Sequence, residues 1–190
     1  MGLHFSSEEF KSRKNKVITK LKEEKIDALV MFRQESMYWL TGYDTFGYVF
    51  FQSLILDQKG NLILLTRAPD LRQAQNTSNI ENIKIWVDKD DSNPTEDLKQ
   101  ILNELNLKDK NIGIEYEAYG LTGRNAINLN RSLENFCSLD DNSELITKLR
   151  VIKSPEEIVY VKKAAALADK ALNEVWKFAK KGVSESKILA

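Results

Sequence analysis

The 190-residue chain has one cysteine, Cys137, and one histidine, His4. A lone cysteine excludes an internal disulfide and points to a cytoplasmic protein. Without clustered His and Cys there is no zinc pattern, and Cys137 has no histidine near it in sequence to activate it, so it reads as a buried apolar thiol. The eight glycines are scattered and form no phosphate-binding loop, and no serine elbow is present. No apolar run approaches the length of a membrane span, and the start, Met1-Gly2-Leu3-His4-Phe5-Ser6, lacks the apolar stretch of a signal peptide. Its short match to a myristoylation signal and the sequons at Asn76 and Asn130 carry little weight. Charge of one sign is also missing: 28 Lys and Arg balance 28 Asp and Glu. Nothing global therefore favours nucleic acid or an anionic membrane. The segment Asp88–Pro94 has three aspartates but neither the glycine nor the closing glutamate of a calcium loop.

What is present is the composition of a soluble globular protein, 42% hydrophobic and 29% charged. The order of its elements is that of an α/β fold. Ser6 or Ser7 caps a helix over about 8–25, with Phe10, Val17, Ile18 and Leu21 on one side and a solvated Lys/Glu face opposite. The nearly continuous apolar run Ile26–Phe32 is a strand covered on both faces. A short helix over 34–40 stops at Gly42, a left-handed C-cap. A long strand over 48–56 turns through Asp57-Gln58-Lys59-Gly60-Asn61 into a returning strand over 62–66. Further on come a helix over 68–75, a strand over 82–87, a helix over 96–105 capped by Thr95, and a strand over 111–116. A helix near 121–133, a strand near 136–139 and a helix running to Leu149 follow. This order implies a mixed sheet of about six strands flanked by helices.

The chain then changes character. Ser154 caps a long helix, Pro155 occupies its first position, and Glu157 completes a capping box. Ile158, Val161, Ala165, Ala168, Leu172, Val175 and Ala179 repeat at three- and four-residue steps. They form one apolar stripe on a helix over about 155–181, roughly 40 Å long. Gly182-Val183-Ser184-Glu185 opens another helix. The expected organisation is a domain over 1–148, followed by a junction and the first helices of a second domain over 149–190.

No catalytic set emerges. Glu115 and Glu117, after a strand, share a face and read as surface carboxylates. The densest chemistry is Tyr38-Trp39-Leu40-Thr41-Gly42-Tyr43-Asp44-Thr45-Phe46-Gly47-Tyr48, with five aromatics in eleven residues. Aromatic bodies with polar tips suit a contact surface. The alternative is that Tyr38, Leu40 and Phe46 roof the core while the others face solvent. Arg67, just after a strand, is a candidate fixed cation for a carboxylate.

Three segments resemble those of a known family. Tyr38–Tyr43 is similar to the YLTGY segment of the creatinase/prolidase N-terminal domain, and Ile112-Gly113-Ile114-Glu115 to its IGVE strand. Leu149–Ile158 resembles the R-x-I-K-S-P-E-E-I junction into the catalytic domain. The resemblance runs from Phe5 to Leu189 and implies a mixed, ribonuclease H-like α/β domain preceding a pita-bread catalytic domain. It further implies a parent that hydrolyses Xaa-Pro peptides or a small solute such as ectoine, in most members with two divalent ions (manganese, cobalt or zinc). Those ligands are not in this sequence, so no cofactor is expected in this chain, and the 190 residues alone are expected to be inactive. The resemblance also implies a homodimer in which Trp39, Tyr43, Asp44, Tyr48 and Arg67 contact the partner or cap its substrate. The rival expectation is a stand-alone interaction module using the aromatic loop over 38–48.

Overall fold

The computed structural model describes residues 3–189, so the myristoylation match at Met1-Gly2 lies outside the described residues. These residues fall into two compact units that divide between Val151 and Ile152.

The first unit is built on a six-stranded mixed sheet of order β4-β3-β2-β1-β5-β6. Its strands are β1 (Ala28–Met31), β2 (Ser53–Asp57), β3 (Leu62–Arg67), β4 (Asn82–Trp86), β5 (Asn111–Ile114) and β6 (Ser138–Asp141). β2 is antiparallel to both neighbours, while β1, β5 and β6 pair in parallel, as do β3 and β4. Every strand but β2 therefore points the same way. The helices are α1 (Ser7–Glu23), α2 (Gln34–Thr41), α3 (Leu71–Thr77), α4 (Pro94–Glu104), α5 (Gly123–Leu133) and α6 (Leu145–Val151).

Strand alternation divides the core in two. Val30, Ile55, Leu65, Ile112 and Ile114 face Leu98, Ile101 and Leu102 of α4 and Leu129 and Leu133 of α5. Leu29, Met31, Leu54, Leu56 and Leu64 face Val17 and Leu21 of α1, Met37 and Leu40 of α2, Ala74 of α3 and Ile146 of α6. All four residues of β1 are buried, as its unbroken apolar run requires. The β2–β3 turn is closed by Asp57, whose Oδ1 accepts the N–H groups of Lys59 and Asn61 at 2.9 and 2.8 Å.

Three local expectations differ from the structure. The strand expected from Tyr48 starts only at Ser53. Gly47–Val49 instead forms a 3₁₀ turn in which Phe50 N–H donates to the Gly47 carbonyl at 2.9 Å. The cap of α4 is Asn93 rather than Thr95. The Thr95 hydroxyl turns inward and bonds Asn93 Oδ1 and Ser132 Oγ, each at 2.7 Å. Glu115 is not a surface carboxylate: its side chain is fully buried, whereas Glu117 is exposed.

The second unit contains α7 (Pro155–Phe178) and α8 (Glu185–Leu189). The capping box at its start is formed: Ser154 N–H donates to Glu157 Oε2 at 2.7 Å and Glu157 N–H to Ser154 Oγ at 3.2 Å. α7 stops three residues before the expected Lys181: its C-cap, Ala179, is already extended at φ −71° and ψ 102°. No residue of α7 is buried, and Ile158, Val161, Leu172 and Val175 of its stripe are all exposed.

Candidate functional site

The strand directions bring several loops to one end of the sheet. The carboxyl ends of β1, β3, β4 and β5 meet the amino end of β2 there. The segments 32–52, 67–70, 87–88 and 115–121 consequently share an edge, the usual place for ligands on such sheets. This edge carries exposed aromatics: Phe46 is 88% exposed, Tyr119 84%, Tyr48 44% and Phe50 43%. The Tyr48 and Tyr119 rings meet edge to face at 6.3 Å. Beside them an open groove of about 1280 Å³ is lined by Phe32, Arg33, Glu35, Tyr48, Glu117 and Arg150 among others.

The aromatic loop is rigidly supported. Gly42 ends α2 in the left-handed conformation at φ +82°. The Thr41 hydroxyl accepts Tyr43 N–H at 3.1 Å, and that of Thr45 accepts Gly47 N–H at 2.9 Å. A methyl group on Gly120 would lie 2.9 Å from the Phe50 carbonyl and 3.0 Å from that of Tyr48, so only glycine lets the two backbones approach this closely.

The five candidate residues separate into three groups. Trp39 and Tyr43 are 6% and 0% exposed and point into the core, which removes them as direct contacts to a partner or substrate in this conformation. Trp39 lies against the Arg13 guanidinium at 5.4 Å, and its carbonyl accepts from that group at 2.8 Å. The Tyr43 hydroxyl donates to Gln52 Oε1 at 2.7 Å, and burial pushes its pKa above the ordinary tyrosine value. Asp44 and Tyr48 are exposed on the edge. Arg67 is neutralised within its own chain. Its Nε meets Asp70 at 3.1 Å, its Nη1 meets Asp88 at 3.6 Å, and its guanidinium stacks 3.4 Å above the centre of the Phe50 ring. Its charge is spent there rather than held for a ligand carboxylate. The expectation that Tyr38, Leu40 and Phe46 form the roof holds for Leu40; Phe46 projects outward and Tyr38 is half-buried.

Sequence reasoning missed Val49, Phe50 and Tyr119 as edge residues, and included Phe46 only as one of the five aromatics of the loop. The available signal was Tyr119 beside Gly120 in a loop after a strand. Burial raises the Cys137 thiol to about 11, and among the described residues no three His, Cys, Asp or Glu side chains converge as ligands. The two divalent ions expected of the parent do not fit this lobe.

Residues 13–152 match the profile of the Creatinase/Prolidase N-terminal domain. The chain belongs to the creatinase/prolidase family. Its curated relatives include an ectoine hydrolase of Halomonas elongata, 28% identical over all of this chain and 49% of its own length. A hydrolase/peptidase of Sinorhizobium fredii is 27% identical over 99% of this chain and 50% of its own. A dipeptidase from Pyrococcus horikoshii superposes with a TM-score of 0.74 at 25% identity, over 92% of this chain and 46% of that one. This creatinase/prolidase chain thus spans about half the length of the curated relatives it matches. No helix among its described residues is long and apolar enough to cross a membrane.

Proposed function

We propose that this chain is the substrate-capping and dimer-forming lobe of a metal-dependent amide or peptide hydrolase that acts on Xaa-Pro peptides or a small solute such as ectoine. The observation that carries the reading is the exposed aromatic edge. Phe46, Tyr48 and Tyr119 are large, apolar and fixed on a rigid scaffold, yet they face water beside a groove. Exposed aromatics in a cluster suit a surface that another body covers. Asp44 and Tyr48 are the candidate contacts that remain available there, with Phe46 and Tyr119 added to them. Trp39 and Tyr43 serve by holding the loop from inside.

Two further observations support the reading. The described residues hold no ligand set of their own, so the hydrolytic metals would be held elsewhere in the enzyme. The apolar stripe of α7 calls for a broad partner surface such as a larger domain supplies.

The test is a hydrolysis survey on the full open reading frame that contains this sequence, loaded with Mn²⁺ or Co²⁺. Turnover of a Xaa-Pro dipeptide or of ectoine supports the proposal. Absence of metal-stimulated hydrolysis across both substrate classes, from a folded protein, refutes it.

A further inference from the structure

We infer that Glu115 is the positioning residue of the aromatic edge: its buried carboxylate fixes the first turn of α2, and Gln34 passes that placement to the loop bearing Phe46 and Tyr48. A carboxylate with no exposure is costly to bury unless its oxygens are hydrogen-bonded, and those of Glu115 are. Glu115 Oε2 accepts the backbone N–H groups of Phe32 and Arg33, each at 3.0 Å, and Oε1 accepts the Ser36 hydroxyl at 2.6 Å. Arg33 is the N-cap of α2, Phe32 precedes it and Ser36 lies in its first turn, so one side chain ties the entry of that helix to its first turn.

The relay to the edge is short. Gln34, inside the turn that Glu115 grips, donates through Nε2 to the Thr45 carbonyl at 2.9 Å. Thr45 in turn holds Gly47, where the 3₁₀ turn carrying Tyr48 begins. From the other side Gly120, five residues after Glu115, abuts the carbonyls of Tyr48 and Phe50. The segment leaving β5 therefore supports the aromatic loop at both ends.

Charged groups around this junction are few. Arg33 acts on Glu115 electrostatically, while its guanidinium meets Glu117 at 2.6 Å and Glu144 at 3.5 Å. On β6, Asp141 is occupied by Ser143, whose hydrogen bonds lower its pKa. Burial is the largest influence on Glu115 and raises its pKa to about 7, which makes the residue its own reporter.

The coupling can be read without any catalytic assay; only its importance for capping rests on the proposed function. Backbone amide and side-chain carboxyl NMR spectra of the chain are followed from about pH 5 to about pH 9. The Glu115 carboxyl is expected to titrate with a midpoint of about 7. The amides of Phe32 and Arg33, and those of Thr45, Gly47 and Tyr48, should share that midpoint. Gln34→Ala should keep the step at Phe32 and Arg33 and lose it at Thr45, Gly47 and Tyr48. Glu115→Gln should lose it everywhere. His4→Gln, which removes the imidazole bonded to Tyr38 on the same helix, should leave it unchanged. Loop amides that stay flat while Phe32 and Arg33 titrate overturn the inference, as does a loop step that survives Gln34→Ala. A loop that follows Glu115 yet contributes nothing to kcat/KM in the longer enzyme would leave the coupling standing and remove the capping role.

Discussion

Replacing Glu115 by glutamine should stabilise the first unit above neutral pH. The side chain keeps its shape. Its carbonyl oxygen can still accept from Phe32 and Arg33, and its amide can donate to Ser36 Oγ, but it carries no charge. In the native protein burial raises the Glu115 pKa from 4.5 to about 7. A raised folded-state value means that this carboxyl contributes fully below its unfolded value and loses that contribution as pH climbs through the folded one. A gap of about 2.5 units is worth about 3 kcal/mol. Urea titrations at several pH values, followed through the buried Trp39 and Trp86, would read it. The stability of Glu115→Gln relative to wild type should rise by about 3 kcal/mol between about pH 4.5 and about pH 8. The lowered pKa of Asp141 works in the opposite sense, contributing stability that is lost on acidification, and is common to both proteins. Parallel pH profiles for wild type and variant would show that the buried carboxyl does not govern this window.

Gly120→Ala places a methyl group against the carbonyls of Phe50 and Tyr48 and should cost about 1–3 kcal/mol, with the Tyr48 and Phe50 resonances shifting most; unchanged stability and spectra would contradict the close approach. Tyr43→Phe leaves the buried Gln52 carbonyl without its donor and should lower stability by about 1–2 kcal/mol in the same urea assay. Ser154→Ala removes half of the capping box of α7 and should weaken that helix by about 1 kcal/mol, read as faster amide exchange at Glu157 and Ile158 with no change in the first unit.

Local chemistry accounts for what the sequence revealed. The Asp57–Asn61 turn, the left-handed Gly42 and the Ser154–Glu157 box are each made by residues within four positions of one another. The buried run of β1 and the inward faces of α1 and α4 were legible from periodicity, and these elements define the sheet and its layers. The edge was harder because distant residues shape it. Glu115 looked like a surface acid because its partners, Phe32 and Arg33, lie 83 and 82 positions away. The segment from Tyr48 looked like strand because Tyr48-Val49-Phe50-Phe51 is a run of aromatic and β-branched residues. Contact with Gly120, far along the chain, goes with a 3₁₀ turn there instead. Trp39 and Tyr43 were grouped with Asp44 and Tyr48 by proximity in sequence. Trp39 on α2 and Tyr43 just beyond its end turn into the core, whereas Asp44 and Tyr48 lie on the edge.

The central claim is that this edge covers a reaction centre that the lobe itself does not contain. It is tested most directly by kcat/KM of the metal-loaded full-length enzyme carrying Asp44→Ala and Tyr48→Ala. The account predicts a loss of about tenfold or more, with the melting temperature and the metal content unchanged. Catalysis equal to wild type in that double variant would contradict it.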